Sequence, residues 1–354
     1  MSDSLNQLFG HRLRQARAMR AWSLRELTAR MGGEVSPAAL NKYEAGRMRP
    51  SPAVLAVLCE ALGVDEDFFV RPVRVPLGAV NFRKRSSLGA KEERALREHA
   101  GDFFERYAEL EERLGLAAAF ENPLADFVVQ EPDDVETAAL RVRQAWKLGL
   151  TPIPSVVARL EAQHLMIHAE DAPEAFDGFA GRAGAREVIA LNAAFPTDRR
   201  RFSALHELGH LVLRFAPGQF PEREQERLCH RFAGAMLMPR PIFEEAFGGH
   251  RQHVAVGELA QLKAAHGISC AAIMKRAETL GLMAASTMER FWTSWSVRGY
   301  RTNDPGRCDF PEQPRRFHTL LLRAVAERRL SVAKAASLAA MPEEEFRDRL
   351  EILP

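Results

Sequence analysis

Two histidines and a glutamate are spaced for metal chemistry in the run His206-Glu207-Leu208-Gly209-His210, within the apolar stretch 202–213. On a helix, residues four apart leave the same face, so both imidazoles can share one ion. Glu207 follows the first histidine directly and can reach a water at such an ion. This is the layout that zinc-dependent peptide hydrolysis needs: imidazoles hold the ion, and a carboxylate takes a proton from the attacking water.

The pentamer alone does not carry that reading, but its surroundings strengthen it. Leu205, Leu208, Leu211 and Val212 recur at helical spacing beside the histidines and predict a buried opposite face. Gly209 leaves room between the two rings. A second helix is expected over 222–239, with Leu228, Phe232, Ala235 and Met236 inward. A third ligand is required. Glu226, sixteen residues after His210, can supply it, and His230, four residues further on the same face, competes with it. Glu222 and Glu224 are further carboxylates, while Glu207 is better used as a base.

The strings FSALHELGHLVL and ERLCHRFAGAMLMP together resemble the ImmA/IrrE-type metallopeptidases. That family has an HExxH helix, then a Glu-containing helix that runs into Phe-Ala and ends Leu-Met-Pro. The resemblance spans roughly residues 140–285 and includes REVIALNAAFP. It implies that His206 and His210 are metal ligands, Glu207 the general base and Glu226 the third ligand. The family usually has Asn or Asp where this chain has His230, which leaves His230 either beside the ligands or among them. The resemblance also places REVIALN at a sheet edge, where it could pair with an extended substrate.

The N-terminal 70 residues read as short helices with tight breaks. An amphipathic helix is expected over 8–22, with Leu5, Leu8, Phe9 and Leu13 inward. SLRELTARM opens with Ser23 as cap and Glu26 in the capping-box position. Ser36 and Pro37 start the next helix, Gly63 closes a fourth, and DEDFFV is a short fifth. Through SLRELTARM, ALNKYEAGRMRPS and LCEALGVDEDFF this region resembles the XRE (lambda-repressor-like) helix-turn-helix family. The resemblance implies that the helix from Ser36 to Glu44 enters the major groove of duplex DNA. Ser36, Ala38, Ala39 and Lys42 would then face bases or flanking phosphates, and Asn41, Arg47 and Arg49 phosphates. Charge agrees: residues 1–50 carry nine Lys/Arg against four Asp/Glu, while the whole chain is +2.

The remaining features set the context. A length of 354 residues, 46% hydrophobic and 27% charged, predicts two or three globular domains. No apolar run reaches membrane-spanning length, and the N-terminus lacks an apolar signal core. Cys59, Cys229, Cys270 and Cys308 form no CxxC pair, which argues against a zinc ribbon or a disulfide framework and favours a reducing cytoplasm. Residues 71–81 read as a linker or short strand pair. From 82 onward a long charged helix is expected, with Leu96, Phe103, Phe104, Tyr107, Leu110 and Leu114 as apolar teeth. Three strands are expected in HLMIHAED, FDGFAG and REVIALN.

The expected fold is multidomain, mainly α with a small mixed sheet. A helix-turn-helix bundle occupies 1–72, a linker and charged helix 73–132, an α+β zincin-like metallopeptidase domain 133–285, and a helical C-terminal cap of unassigned role 286–354. The expected function is that of a cytoplasmic DNA-binding regulator carrying a zinc-dependent endopeptidase, with one zinc or other divalent ion per chain. Its partners would be a DNA operator, a second copy of itself, and a repressor-type protein cleaved in a stress or mobile-element response. Two alternatives stand beside this reading. One is a non-enzymatic regulator that uses the zincin fold as a sensor or dimerisation body; the other is an antitoxin with a toxin partner.

Overall fold

The computed structural model of the chain describes residues 2–73, 81–84, 88–116 and 118–350. The N-terminal module holds α1 (Ser2–Met19), α2 (Leu24–Arg30), α3 (Pro37–Glu44), α4 (Pro52–Leu62) and α5 (Glu66–Val70). Local chemistry sets its boundaries. Ser23 and Glu26 form a reciprocal capping box on α2, and the Ser36 and Ser51 side chains accept from Ala39 N and Val54 N. Gly63 ends α4 in the left-handed conformation, which costs glycine little. The five helices close over a core of Phe9, Leu13, Leu27, Leu40, Leu58 and Phe69. Leu5, expected inward, is 45% exposed, because the first turn of α1 extends beyond that core.

A short strand, β1 (Asn81–Lys84), follows, then the long helix α6 (Ala90–Leu114). The charged helix expected from residue 82 therefore begins later, and the stretch from Asn81 to Lys84 pairs with a sheet instead. Residues 74–80 of the expected linker, and residues 85–87 of the expected charged helix, lie outside the described residues. The chain continues through α7 (Asp134–Ala145), α8 (Val156–Ala162), β2 (Met166–Glu170), β3 (Phe176–Ala183) and β4 (Arg186–Asn192). Next come α9 (Thr197–Val212), α10 (Glu222–Leu237), α11 (Arg240–Phe247), α12 (Val256–His266) and α13 (Cys270–Thr279). The last helices are α14 (Ala285–Val297), α15 (Arg316–Ala326), α16 (Val332–Ala339) and α17 (Glu343–Asp348).

The sheet order is β1-β3-β4-β2, with β3 antiparallel to β1 and β4, and β2 parallel to β4. REVIALN is therefore β4, an interior strand; the expectation that it forms an edge is overturned. Its composition explains this. Val188 and Ala190 enter one core while Ile189 and Leu191 enter another, so both faces are covered, as a central strand requires. On one face lie α9 and α10. On the other lie α6 and the C-terminal helices, packing Phe104, Tyr107, Phe317 and Leu321 on Phe176 and Phe179. Residues 316–350 thus help to cover the second face of the sheet.

Buried charge joins the N-terminal module to this body. Arg12 of α1 is fully buried, donates to the Arg71 and Pro72 carbonyls, and pairs with Glu105 of α6 at 2.6 Å. One turn earlier, Asp102 holds both Arg71 and Arg106, and Arg106 reaches the Leu338 carbonyl of α16. Among the described residues no helix is long and apolar enough to cross a membrane.

Candidate active site

The centre is built where α9 crosses α10. Leu205, Leu208 and Val212 of α9 are buried, as the periodicity requires, and this fixes the opposite side of the helix against α10. Gly209 faces Cys229 across the crossing. A Cβ there would stand 3.3 Å from Cys229 Cβ and 3.4 Å from its Cα, so the glycine lets the two helices approach.

The approach brings three side chains to one point. His206 Nε2 and His210 Nε2 are 3.0 Å apart. Glu226 Oε2 lies 3.4 Å from His206 Nε2, and its Oε1 lies 3.2 Å from His210 Nε2. A tetrahedral ion with bonds of about 2.0–2.1 Å holds its ligand atoms about 3.3–3.4 Å apart. Two neutral imidazoles and a carboxylate converging at these separations fit a divalent ion. His230 stands just outside this triangle. Its ring packs on His206 at 4.3 Å between centroids and stacks on Phe202 at 5.8 Å. Donor atoms of His206, Glu226 and His230 also lie within 4.8 Å of one another, so His230 is close enough to join or replace a ligand.

Electrostatics match this arrangement. Interactions with His206 and His210 hold the Glu226 carboxyl well below the usual carboxylate range. Burial works against the charge on His210, but Cys229 and Glu226 outweigh it and push the imidazole up to about 10. Cys229 Sγ lies 3.7 Å from His210 Nδ1, on the side of the ring away from Glu226. A proton on Nδ1 directed at this sulfur leaves the Nε2 lone pair for an ion and fixes the ring plane. Burial pushes the Cys229 thiol up, while its contact with His210 acts the other way.

Glu207 is completely buried. It lies against β3, where a Cβ on Gly178 would be 3.6 Å from both Glu207 Cγ and Oε1 and 2.8 Å from the Ala190 carbonyl. Its negative charge contributes to the raised His210 pKa, as expected of a carboxylate beside the cluster. Sequence reasoning missed Gly178, although a glycine inside the strand pattern FDGFAG is itself a sign of close approach. It also missed Arg201, one and a half turns before His206 on α9, whose partner is far away in sequence.

The candidate DNA surface is equally concrete. Ser36, Ala38, Asn41 and Lys42 are exposed along α3, and Arg47 and Arg49 are exposed just after it. Ala39 is half-buried and packs on the module's core. The Ser36 hydroxyl is engaged as the cap of α3. Glu44, at the end of α3, is buried beneath Arg14 and Arg17, so its charge is offset within the module.

Comparison with known proteins agrees with both halves. Residues 8–68 match the model of a helix-turn-helix domain. Residues 160–278 match that of an IrrE N-terminal-like domain. The Radiation response metalloprotease IrrE of Deinococcus radiodurans is 28% identical over 132 residues, covering 33% of this chain and 39% of that protein. The chain thus spans about two fifths of the length of this curated relative. It joins a helix-turn-helix domain at residues 8–68 to a metallopeptidase-type, IrrE N-terminal-like domain at residues 160–278.

Proposed function

We propose that the chain is a DNA-binding regulator whose IrrE-like domain is a zinc-dependent endopeptidase acting on a repressor-type protein. The observation that carries the reading is the meeting of His206 Nε2, His210 Nε2 and the Glu226 carboxylate at 3.0–3.4 Å, with Glu207 buried on the same helix. His206, His210 and Glu226 would hold one zinc ion. When bound, the ion would supply Lewis acidity, polarising the scissile carbonyl and making a water more acidic.

The chain's own groups do the rest. Glu207 takes a proton from the attacking water and returns it to the leaving amine. Its burial against Gly178 keeps bulk water from competing for that proton. Cys229 orients His210, and Phe202 and His230 pack around His206. The α3 surface would deliver the chain to its operator, with Lys42 near bases and Arg47 and Arg49 on phosphates.

Two measurements test this together. Elemental analysis of chain purified without chelator is expected to give about one zinc per chain. Incubation with a repressor-type protein, where one is encoded beside its gene, is expected to give a defined cleavage product. A metal-free protein that leaves that repressor intact would favour a non-enzymatic regulator, with the zincin fold as a binding body.

A further inference from the structure

The IrrE-like match begins at residue 160, so β2, β3 and β4 belong to it and β1 does not. Residues 81–84 reach the sheet from the segment between the DNA-binding module and α6. They pair antiparallel with β3: Asn81 opposite Ala180, Phe82 opposite Phe179, Arg83 opposite Gly178, and Lys84 opposite Phe176 after a register shift. Without β1, β3 would be an open edge of the peptidase sheet.

That edge borders the candidate active site. Gly178 is the β3 residue whose absent side chain would meet Glu207. Neighbouring strands lie about 4.8 Å apart, so the Arg83 backbone runs alongside the residue that touches the proposed base. The other edge, β2, is separated from β3 by β4. An open edge takes up an extended peptide by main-chain hydrogen bonds, and pockets for alternate side chains add specificity. The place where such a peptide would lie beside Glu207 is the place β1 fills.

We propose that β1 is an internal occupant of the substrate-docking edge, so that the chain keeps its own peptidase closed to extended peptides until residues 81–84 leave β3. The inference rests on the peptidase reading above and adds to it a recognition mode and a regulating segment. The substrate class it implies is an unstructured or unfolded segment that adds to β3 as an antiparallel strand. A four-residue ladder broken by a register shift is short. A longer strand from a partner can displace it.

The test uses the full chain and a variant with residues 81–84 replaced by Gly-Ser-Gly-Ser, length unchanged, both carrying Glu207→Gln for binding work. The probe is a fluorescein-labelled synthetic peptide of residues 78–87 of this sequence. Anisotropy is expected to show the peptide binding the replaced variant at least ten times more tightly than the unreplaced chain. With Glu207 restored and zinc added, the replaced variant is expected to cut unstructured decapeptides at least ten times faster. Phe82→Pro combined with Arg83→Pro removes two successive N–H groups, one of which must face β3; this smaller change guards against a folding defect in the larger replacement and is expected to move both readouts the same way. Equal peptide binding by all three chains would overturn the proposal while leaving the peptidase reading intact. So would cleavage of the chain within 81–87, because a segment that is cut is a substrate and not a blocking strand. Peptide binding confined to the variants, with no cleavage by any chain, would support occupancy of the edge and count against the peptidase reading instead.

Discussion

The Arg201 guanidinium, on the helix that carries both candidate ligand histidines, is paired with the Glu312 carboxylate, and neither side chain has any exposure to solvent. Arg201 also donates to the Gly267 and Ile153 carbonyls, at 3.0 and 2.7 Å. Glu312 caps α8 by accepting from Val156 N and Val157 N, each at 2.8 Å. One buried pair thus ties α9 to α8, to the turn between α12 and α13, and to the loop before α15.

Removing one partner of such a pair leaves an uncompensated buried charge, at a cost of about 3–5 kcal/mol. Glu312→Ala should lower stability by that amount, measured by urea denaturation, while a Glu345→Ala control at an exposed pair should change it by less than about 0.5 kcal/mol. A small effect at Glu312 would mean that the C-terminal segment does not brace α9.

Metal content should depend on the histidines. His206→Ala removes one of the two imidazoles that meet at 3.0 Å. Elemental analysis of this variant should show most of the zinc lost, and full retention would place the metal elsewhere.

The third ligand separates Glu226 from His230. Glu226 reaches both histidines at 3.2–3.4 Å, whereas His230 stacks beside His206. In competition with a zinc chelator, Glu226→Gln should weaken binding more than His230→Asn. The reverse order would make His230 the ligand and Glu226 its neighbour.

The DNA-binding module offers a similar contrast. Lys42 lies on the exposed face of α3, and Arg47 lies beyond its end. Binding should fall steeply with salt. Lys42→Ala should narrow the gap between operator and random duplex, while Arg47→Ala should weaken both about equally. A titration in which neither change has an effect would point to protein recognition by this module.

Some of this was legible from sequence because it is local. The i,i+4 spacing of His206 and His210, and of Glu226 and His230, follows from helical geometry once each helix is recognised. The capping box of Ser23 and Glu26 likewise needs only adjacent residues. What could not be read depends on distant partners. Residues 82–84 look like the start of a charged helix, yet with Asn81 they pair with β3 nearly a hundred residues later. β4 was expected at an edge, although its apolar residues serve both faces and so place it in the interior. The contacts of Gly178 with Glu207, Cys229 with His210 and Arg201 with Glu312 arise only when separate elements cross.

The most direct test of the central claim is Glu207→Gln, which keeps size and ligand shell but removes the base. Zinc content and operator binding should be unchanged, while the rate of cleavage of the repressor-type substrate should fall by about a hundred- to ten-thousand-fold. Cleavage by Glu207→Gln at the unaltered rate would contradict the assignment of this centre as the peptidase.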